Sequence, residues 1–247
     1  MWRRLLGWQI FLFPLGPVTL IACSTPPESA APSSRVVGPA TALPESAAPK
    51  SRVVDPASLD MSDVISYRTL SRADFKGKRP PPDFAPYADR IGAATCAHIV
   101  TTPDTQVMVQ PVAAPGREVV YRATPHHLQF FAQMERNCSW WNPHDLGIPK
   151  DYILEHEQIH FAIFELEARR LNASVPEIEA HLNATAASPE AVLEIARQHL
   201  EEEIQGRMKD IMARSRQFDE DTSMGHKPEQ QKRWWELVRS ELAATSP

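Results

Sequence analysis

The sequence predicts an α+β domain: a small antiparallel sheet in the N-terminal half, then a helical half. Three observations carry that reading. Between Ile65 and Met134, short runs rich in Val, Tyr and Phe alternate with turn residues, as strands do. From Asp151 to Ser174 neither Gly nor Pro interrupts an apolar-rich stretch, which suits one long helix. Beyond it lie further helix starts, with Pro placed where a first helical turn accepts it.

Taken in order, the chain opens on Arg3 and Arg4 before an apolar run, Leu5 to Ala22. Gly7, Gln9, Pro14, Gly16 and Pro17 break that run, so it reads as an export signal rather than a spanning helix. It ends Leu20-Ile21-Ala22-Cys23, which resembles the lipobox of bacterial lipoproteins. The resemblance implies cleavage before Cys23, lipidation of that residue and attachment to a membrane. Ser24 then favours the outer membrane, facing the periplasm. An ordinary signal peptide with an incidental Cys, or an uncleaved anchor, are the alternatives.

Residues 23–60 are rich in Pro, Ala and Ser, and Pro27 to Ala40 recurs as Pro44 to Ala57. The two copies differ only where Ser33 becomes Lys50 and Gly38 becomes Asp55. Such a duplicated segment buries too little apolar surface to offset its ordering entropy, so it reads as an extended tether. The expected division is therefore a signal peptide at 1–22, a lipidated tether at 23–60 and one domain at 61–247.

Within the domain, strands are expected at Ile65 to Leu70, Ala97 to Thr102, Gln106 to Val112, Glu118 to Ala123 and Leu128 to Met134. Pro103-Asp104 marks a turn, and Trp140 to Gly147 reads as a loop leading into the first helix. Asp151 suits that helix's N-cap. Pro176 to Leu182 is a short helix, and Ser188-Pro189-Glu190 caps a long one running to about Gln217. The last helix, Glu229 to Leu242, places Trp234, Leu237, Val238 and Leu242 at core-like spacing.

The chemistry concentrates in the first long helix, at His156-Glu157-Gln158-Ile159-His160. Residues four apart on a helix lie one above the other, so both imidazoles can face a single Zn²⁺. Glu157 sits one residue further round, placed to take a proton from an attacking water without ligating the metal. The bland alternative is a chance match on a core helix. A catalytic zinc needs a third protein ligand, and no neighbour on the same helix reaches: seven residues on, Glu167 lies about 10 Å further along the axis. The ligand must come from the later helices. Simple antiparallel register would offer Glu201 to Gln205, whereas a long helix that overshoots would offer Asp219 to His226.

Cys23 belongs to the lipobox, which leaves Cys96 and Cys138. In an exported protein a disulfide between them is the economical assignment, with two buried thiols as the alternative. A net charge of −5 and the lack of a basic cluster argue against a nucleic-acid partner.

Three blocks resemble domain-of-unknown-function family 922, exported bacterial proteins described as secreted zinc-dependent proteases. They are Leu70 to Gly77, similar to L-x-W-x-D-F-K-G; His156 to Glu165, similar to H-E-Q-G-H-F-D-I-x-E; and Phe218 to Gly225, similar to Y-D-x-x-T-x-H-G. Gln231 and Trp234 follow where the family has Q-x-x-W. The chain departs at Arg72, Ala162 and Met224, which stand in place of Trp, Asp and His. The likeness implies a zincin-like site and favours Asp219 as third ligand, with His226 in reserve; Asp219 as a mere turn cap is the alternative. The function expected is zinc-dependent hydrolysis of a peptide or protein substrate at the bacterial envelope. A catalytically inactive envelope lipoprotein, serving as a binding or structural module, is the competing expectation.

Overall fold

The structure is a computed structural model that describes residues 11–14, 63–112 and 119–245. Cys23, the tether and Glu118 lie outside them. Helix α1, Lys150–Ala173, is the element the others pack around. Ile159, Phe161, Ala162, Ile163, Phe164, Leu166, Ala168 and Leu171 are all buried, so its C-terminal two-thirds presents apolar surface on nearly every side. Asp151 does not cap it. The helix starts one residue earlier, behind Pro149, and no side chain caps its N-terminus.

The sheet-rich half holds three small antiparallel sheets rather than one. Strands β1 (Phe11–Pro14), β5 (Gln106–Val112), β6 (Val120–His126) and β9 (Thr185–Ala186) pair in the order β1-β5-β6-β9. Strands β2 (Val64–Ser66), β7 (Phe130–Glu135) and β4 (Ala97–Thr101) pair in the order β2-β7-β4. Strand β3 (Ala93–Ala94) pairs with β8 (Trp140–Trp141), and the second of these lies in the stretch read from the sequence as loop. The turn after Thr101 explains the division: β4 pairs with β7, and the chain then crosses to begin the other sheet at β5. β1 falls inside the stretch read as an export signal, and its removal would leave β5 as a sheet edge.

Burial follows position. All five residues of β4 are buried, because α1 and β7 both lie against it. In β5 only Val107 and Val109 are buried, the alternation of a strand with one face on the core.

The helical half adds α2 (Val175–Leu182), α3 (Pro189–Thr222) and α4 (Pro228–Ala244). Ser188 caps α3 as expected, its hydroxyl oxygen accepting from the Ala191 amide at 3.2 Å. α3 overshoots Gln217 by five residues, which brings Asp219 into its last turn. On α4, Val238 is buried, whereas Leu237 points to solvent at 48% exposure.

Two devices fix the approach to α1. The buried Asp74 carboxylate accepts both guanidinium nitrogens of Arg68, at 2.6 and 2.9 Å, and the Ser71 amide at 2.8 Å. The side-chain amide of Gln158 then ties this segment to α1, accepting from the Leu70 amide at 2.6 Å. On the other side, Cys96 and Cys138 form a disulfide with Cα atoms 5.8 Å apart. It joins the start of β4 to the residues entering β8, closing a loop of 42 residues. On the chain-entropy estimate such a loop contributes about 3–4 kcal/mol. The unfolding free energy from denaturant titration is therefore expected to fall by that amount when the disulfide is reduced; equal values for the oxidised and reduced forms would contradict it.

Candidate metal centre

His156 and His160 lie one turn apart on α1, and their Nε2 atoms are 3.3 Å from each other. Asp219 Oδ1 stands 3.2 Å from the first and 3.1 Å from the second. A tetrahedral zinc site with bonds of about 2.0–2.1 Å has ligand atoms roughly 3.3–3.4 Å apart. The triangle of three donors therefore matches one face of such a tetrahedron. Two nitrogens and one carboxylate oxygen are also a donor set that zinc accepts. Among the described residues, this is the one group of three or more His, Cys, Asp or Glu that is arranged to hold an ion.

Asp219 reaches the site because α3 runs past it before turning. The helix ends in a Schellman turn: the Met224 amide donates to the Asp219 carbonyl at 2.7 Å, and the Ser223 amide to that of Glu220 at 3.2 Å. Ser223 and Met224 both take positive φ, at 50° and 57°, left-handed conformations that residues other than glycine rarely adopt. Burial by itself would raise the pKa of the Asp219 carboxyl, but the imidazoles of His160 and His156 outweigh it and hold it well below the usual carboxylate range. The oxygen facing the histidines is thus an ionised ligand at neutral pH. Burial pulls His160 down, and Asp219 outweighs that and raises it.

The imidazoles are oriented from behind. His156 Nδ1 meets the Gln231 Oε1 atom at 3.2 Å, while Gln231 Nε2 donates to the Tyr152 carbonyl at 3.0 Å and to Glu155 Oε1 at 3.1 Å. With its amide nitrogen committed to two acceptors, Gln231 presents only an acceptor to His156. A proton on Nδ1 satisfies that acceptor and leaves Nε2, which faces Asp219 and His160, as the nitrogen available to a metal. Gly225, at φ 82°, passes so close that a Cβ there would sit 3.4 Å from His156 Nδ1. Phe218 packs on both rings, with centroids 4.5 and 5.0 Å away.

Glu157 is buried and does not join the triangle. Its Oε2 accepts from the Thr95 hydroxyl at 2.7 Å, which holds the carboxylate beside the histidines. Thr95 follows β3, and β3 lies close on α1 because residue 92 is glycine: a Cβ there would strike Ile153 at 2.6 Å. Between β3 and α1 runs a cleft lined by Ala93, Ala94, Thr95, Tyr152, Met224 and the three candidate ligands, among others. The Tyr152 hydroxyl is buried without a hydrogen-bond partner.

The expected residues divide clearly. His156, Glu157, His160 and Asp219 come together, and the Asp219 side chain faces the two histidines rather than capping the turn. His226 is exposed and is not part of the group. Glu201 to Gln205, the alternative set by simple register, does not line the cleft. Gln231, Gly225, Thr95 and Tyr152 were not singled out as working parts of the site. Tyr152 had a local signal, since it stands four residues before His156 on the same helix face; Thr95 had none.

Purified protein is expected to bind one zinc ion, and His156→Ala to lose it. Gln231→Ala is expected to weaken zinc binding by about 10- to 100-fold, because the imidazole loses its orientation. Competition against a chromophoric chelator measures both; undiminished affinity in Gln231→Ala would show that the amide does not orient His156. Compared with known proteins, the chain matches no family model, no curated protein and no solved structure.

Proposed function

We propose that the chain is a zinc-dependent peptidase of the bacterial envelope, held to a membrane through lipidated Cys23. The observation that carries the reading is the triangle of His156, His160 and Asp219 with Glu157 held just outside it. Three protein donors leave a fourth position for water or substrate, the pattern of catalytic rather than structural zinc. The likeness to the secreted zinc-protease family points the same way, since residues from its second and third blocks meet at the site.

Bound zinc supplies Lewis acidity toward the scissile carbonyl and a water of lowered pKa. Everything else falls to the chain. Glu157 takes a proton from the attacking water as its oxygen bonds to the carbonyl carbon. The same carboxyl then gives that proton to the departing amine as the C–N bond breaks, which returns Glu157 to its starting state. Thr95 keeps the carboxylate turned to the cleft during both transfers. The unpartnered Tyr152 hydroxyl donates to the carbonyl oxygen as it gains charge. β3 has β8 on one side and the cleft on the other, so an extended peptide can add along it as a further strand.

One observation favours the competing reading of a binding module without hydrolysis. Met224 lines the cleft where the resembled family has His, so that position offers no imidazole. The two readings differ in a single measurement. Glu157→Gln is expected to keep zinc affinity and lose hydrolysis, because the carboxylate serves the water and not the metal. Tyr152→Phe is expected to lower kcat by about 10²–10³-fold at unchanged zinc affinity, the cost of one oxyanion donor. A wild-type zinc protein that cleaves no peptide would establish the binding module. Glu157→Gln cleaving at the wild-type rate would remove Glu157 as the base.

For the anchor, mass spectrometry of membrane-extracted protein is expected to find a mature chain beginning at diacylated Cys23. Cys23→Ser is expected to free the protein from the membrane fraction. An unmodified Cys23, or cleavage elsewhere, would rule out the lipid anchor.

A further inference from the structure

Beyond Tyr152 the cleft does not end. Gly92, Ile148 and Ile153 line both the cleft and a side hollow whose other walls include Arg72, Trp141 and Lys150. The hollow has a volume of about 70 Å³. That is several times the roughly 10–15 Å³ that one water-sized group requires, so a carboxylate fits with a water beside it.

The walls carry an unbalanced charge. Arg72 holds its guanidinium 5.6 Å from the centre of the Trp141 ring, a cation–π arrangement that limits where the charge wanders. Among the described residues, neither Arg72 nor Lys150 forms an ion pair. One acid, Asp145, also lines the hollow, and its Oδ1 accepts from the Gly147 amide at 2.9 Å. Two unpaired cations thus face one carboxylate that is already engaged locally.

The hollow is also preformed. Its floor residue Asn142 is buried and uses every polar atom of its side chain. Nδ2 donates to the Ala88 and Ile91 carbonyls, both at 2.8 Å, and Oδ1 accepts from the His144 amide at 2.9 Å. Trp141 is fixed in β8 and meets Phe75 edge-on at 5.5 Å. A site built this way loses little freedom when a ligand enters.

We propose that this hollow is a carboxylate-recognising subsite of the cleft, and that Arg72 and Lys150 select peptides carrying an acidic group there. The inference rests on the peptidase reading for its substrate, but its test is a binding measurement. The probe is a fluorescent, acetylated and amidated octapeptide in which Glu, Gln or Lys is scanned through each position. A second arm carries Gln throughout and a free C-terminal carboxylate, which separates side-chain from chain-end recognition. The protein is the zinc-loaded full chain with Glu157→Gln, so that nothing is cut.

At one scanned position Glu is expected to bind about five- to tenfold more tightly than Gln, with Lys weakest; the magnitude is that of a charge-assisted contact discounted for exposure. If the free chain end alone binds tightly, the hollow reads a terminal carboxylate, which also supports the subsite. Adding Arg72→Glu and Lys150→Glu is expected to reverse the order so that Lys leads. Both side chains are exposed, and a glutamate in the first turn of α1 suits the helix dipole, so the variant folds. Glu and Gln binding equally, a preference that survives the double reversal, or no peptide binding at all would each overturn the subsite. Carboxylate-selective binding by Glu157→Gln alongside a wild-type protein that cuts nothing would uphold the subsite and remove the peptidase.

Discussion

The placement of one buried carboxylate governs this structure. Asp219 is 1% exposed, and an ionised group so far from water is costly unless charge and hydrogen bonds compensate it. Here the compensation comes from two imidazoles on another helix. Meeting that requirement fixes the relative register of α1 and α3, because Asp219 must fall opposite both histidines. It also explains why α3 runs to Thr222 and then turns through two left-handed residues. The turn brings Gly225 against His156 and starts α4 where Gln231 reaches the same imidazole.

Against this helical side stands a wall made of very little secondary structure. β3 is two residues long, yet it carries Thr95 to Glu157 and forms the rim of the cleft. Its position is held from several directions: pairing with β8, the Cys96–Cys138 link beside it, and Asn142 pinning the turn that precedes it. The absence of a side chain at Gly92 sets how near it comes to α1. Small elements hold a fixed geometry when covalent and hydrogen-bonded ties replace the cooperativity of a large sheet.

Backbone strain and one unsatisfied hydroxyl flank the candidate site. Ser223 and Met224 occupy left-handed backbone, and the Tyr152 hydroxyl is buried without a partner. Features of this kind cost stability and persist where the surroundings over-determine them, as the packing of α1, α3 and α4 does here. The buried Asp74 cluster differs: Arg68 and Ser71 satisfy its carboxylate and leave nothing for an incoming molecule. It belongs to the scaffold, and through Gln158 it steadies α1.

What the sequence determined by itself was whatever depends on neighbours along the chain. The spacing of His156 and His160, the helix that carries them and the Ser188 cap all follow from local periodicity. So does the order of a strand-rich half before a helical one. Cys96 and Cys138 were legible as a pair by counting. The tertiary structure decided what depends on elements far apart meeting. It divided the strands among three sheets, since each strand's partner is set by the crossing after Thr101 and not by the strand's own residues. It chose Asp219 over His226 and over Glu201 to Gln205, because helix length and packing register decide which residue lies opposite the histidines. Thr95 and Gly92 had no signal at all in the sequence. Their roles exist only because β3 is pressed against α1, and a threonine and a glycine carry no mark of that until the strand and the helix are in contact.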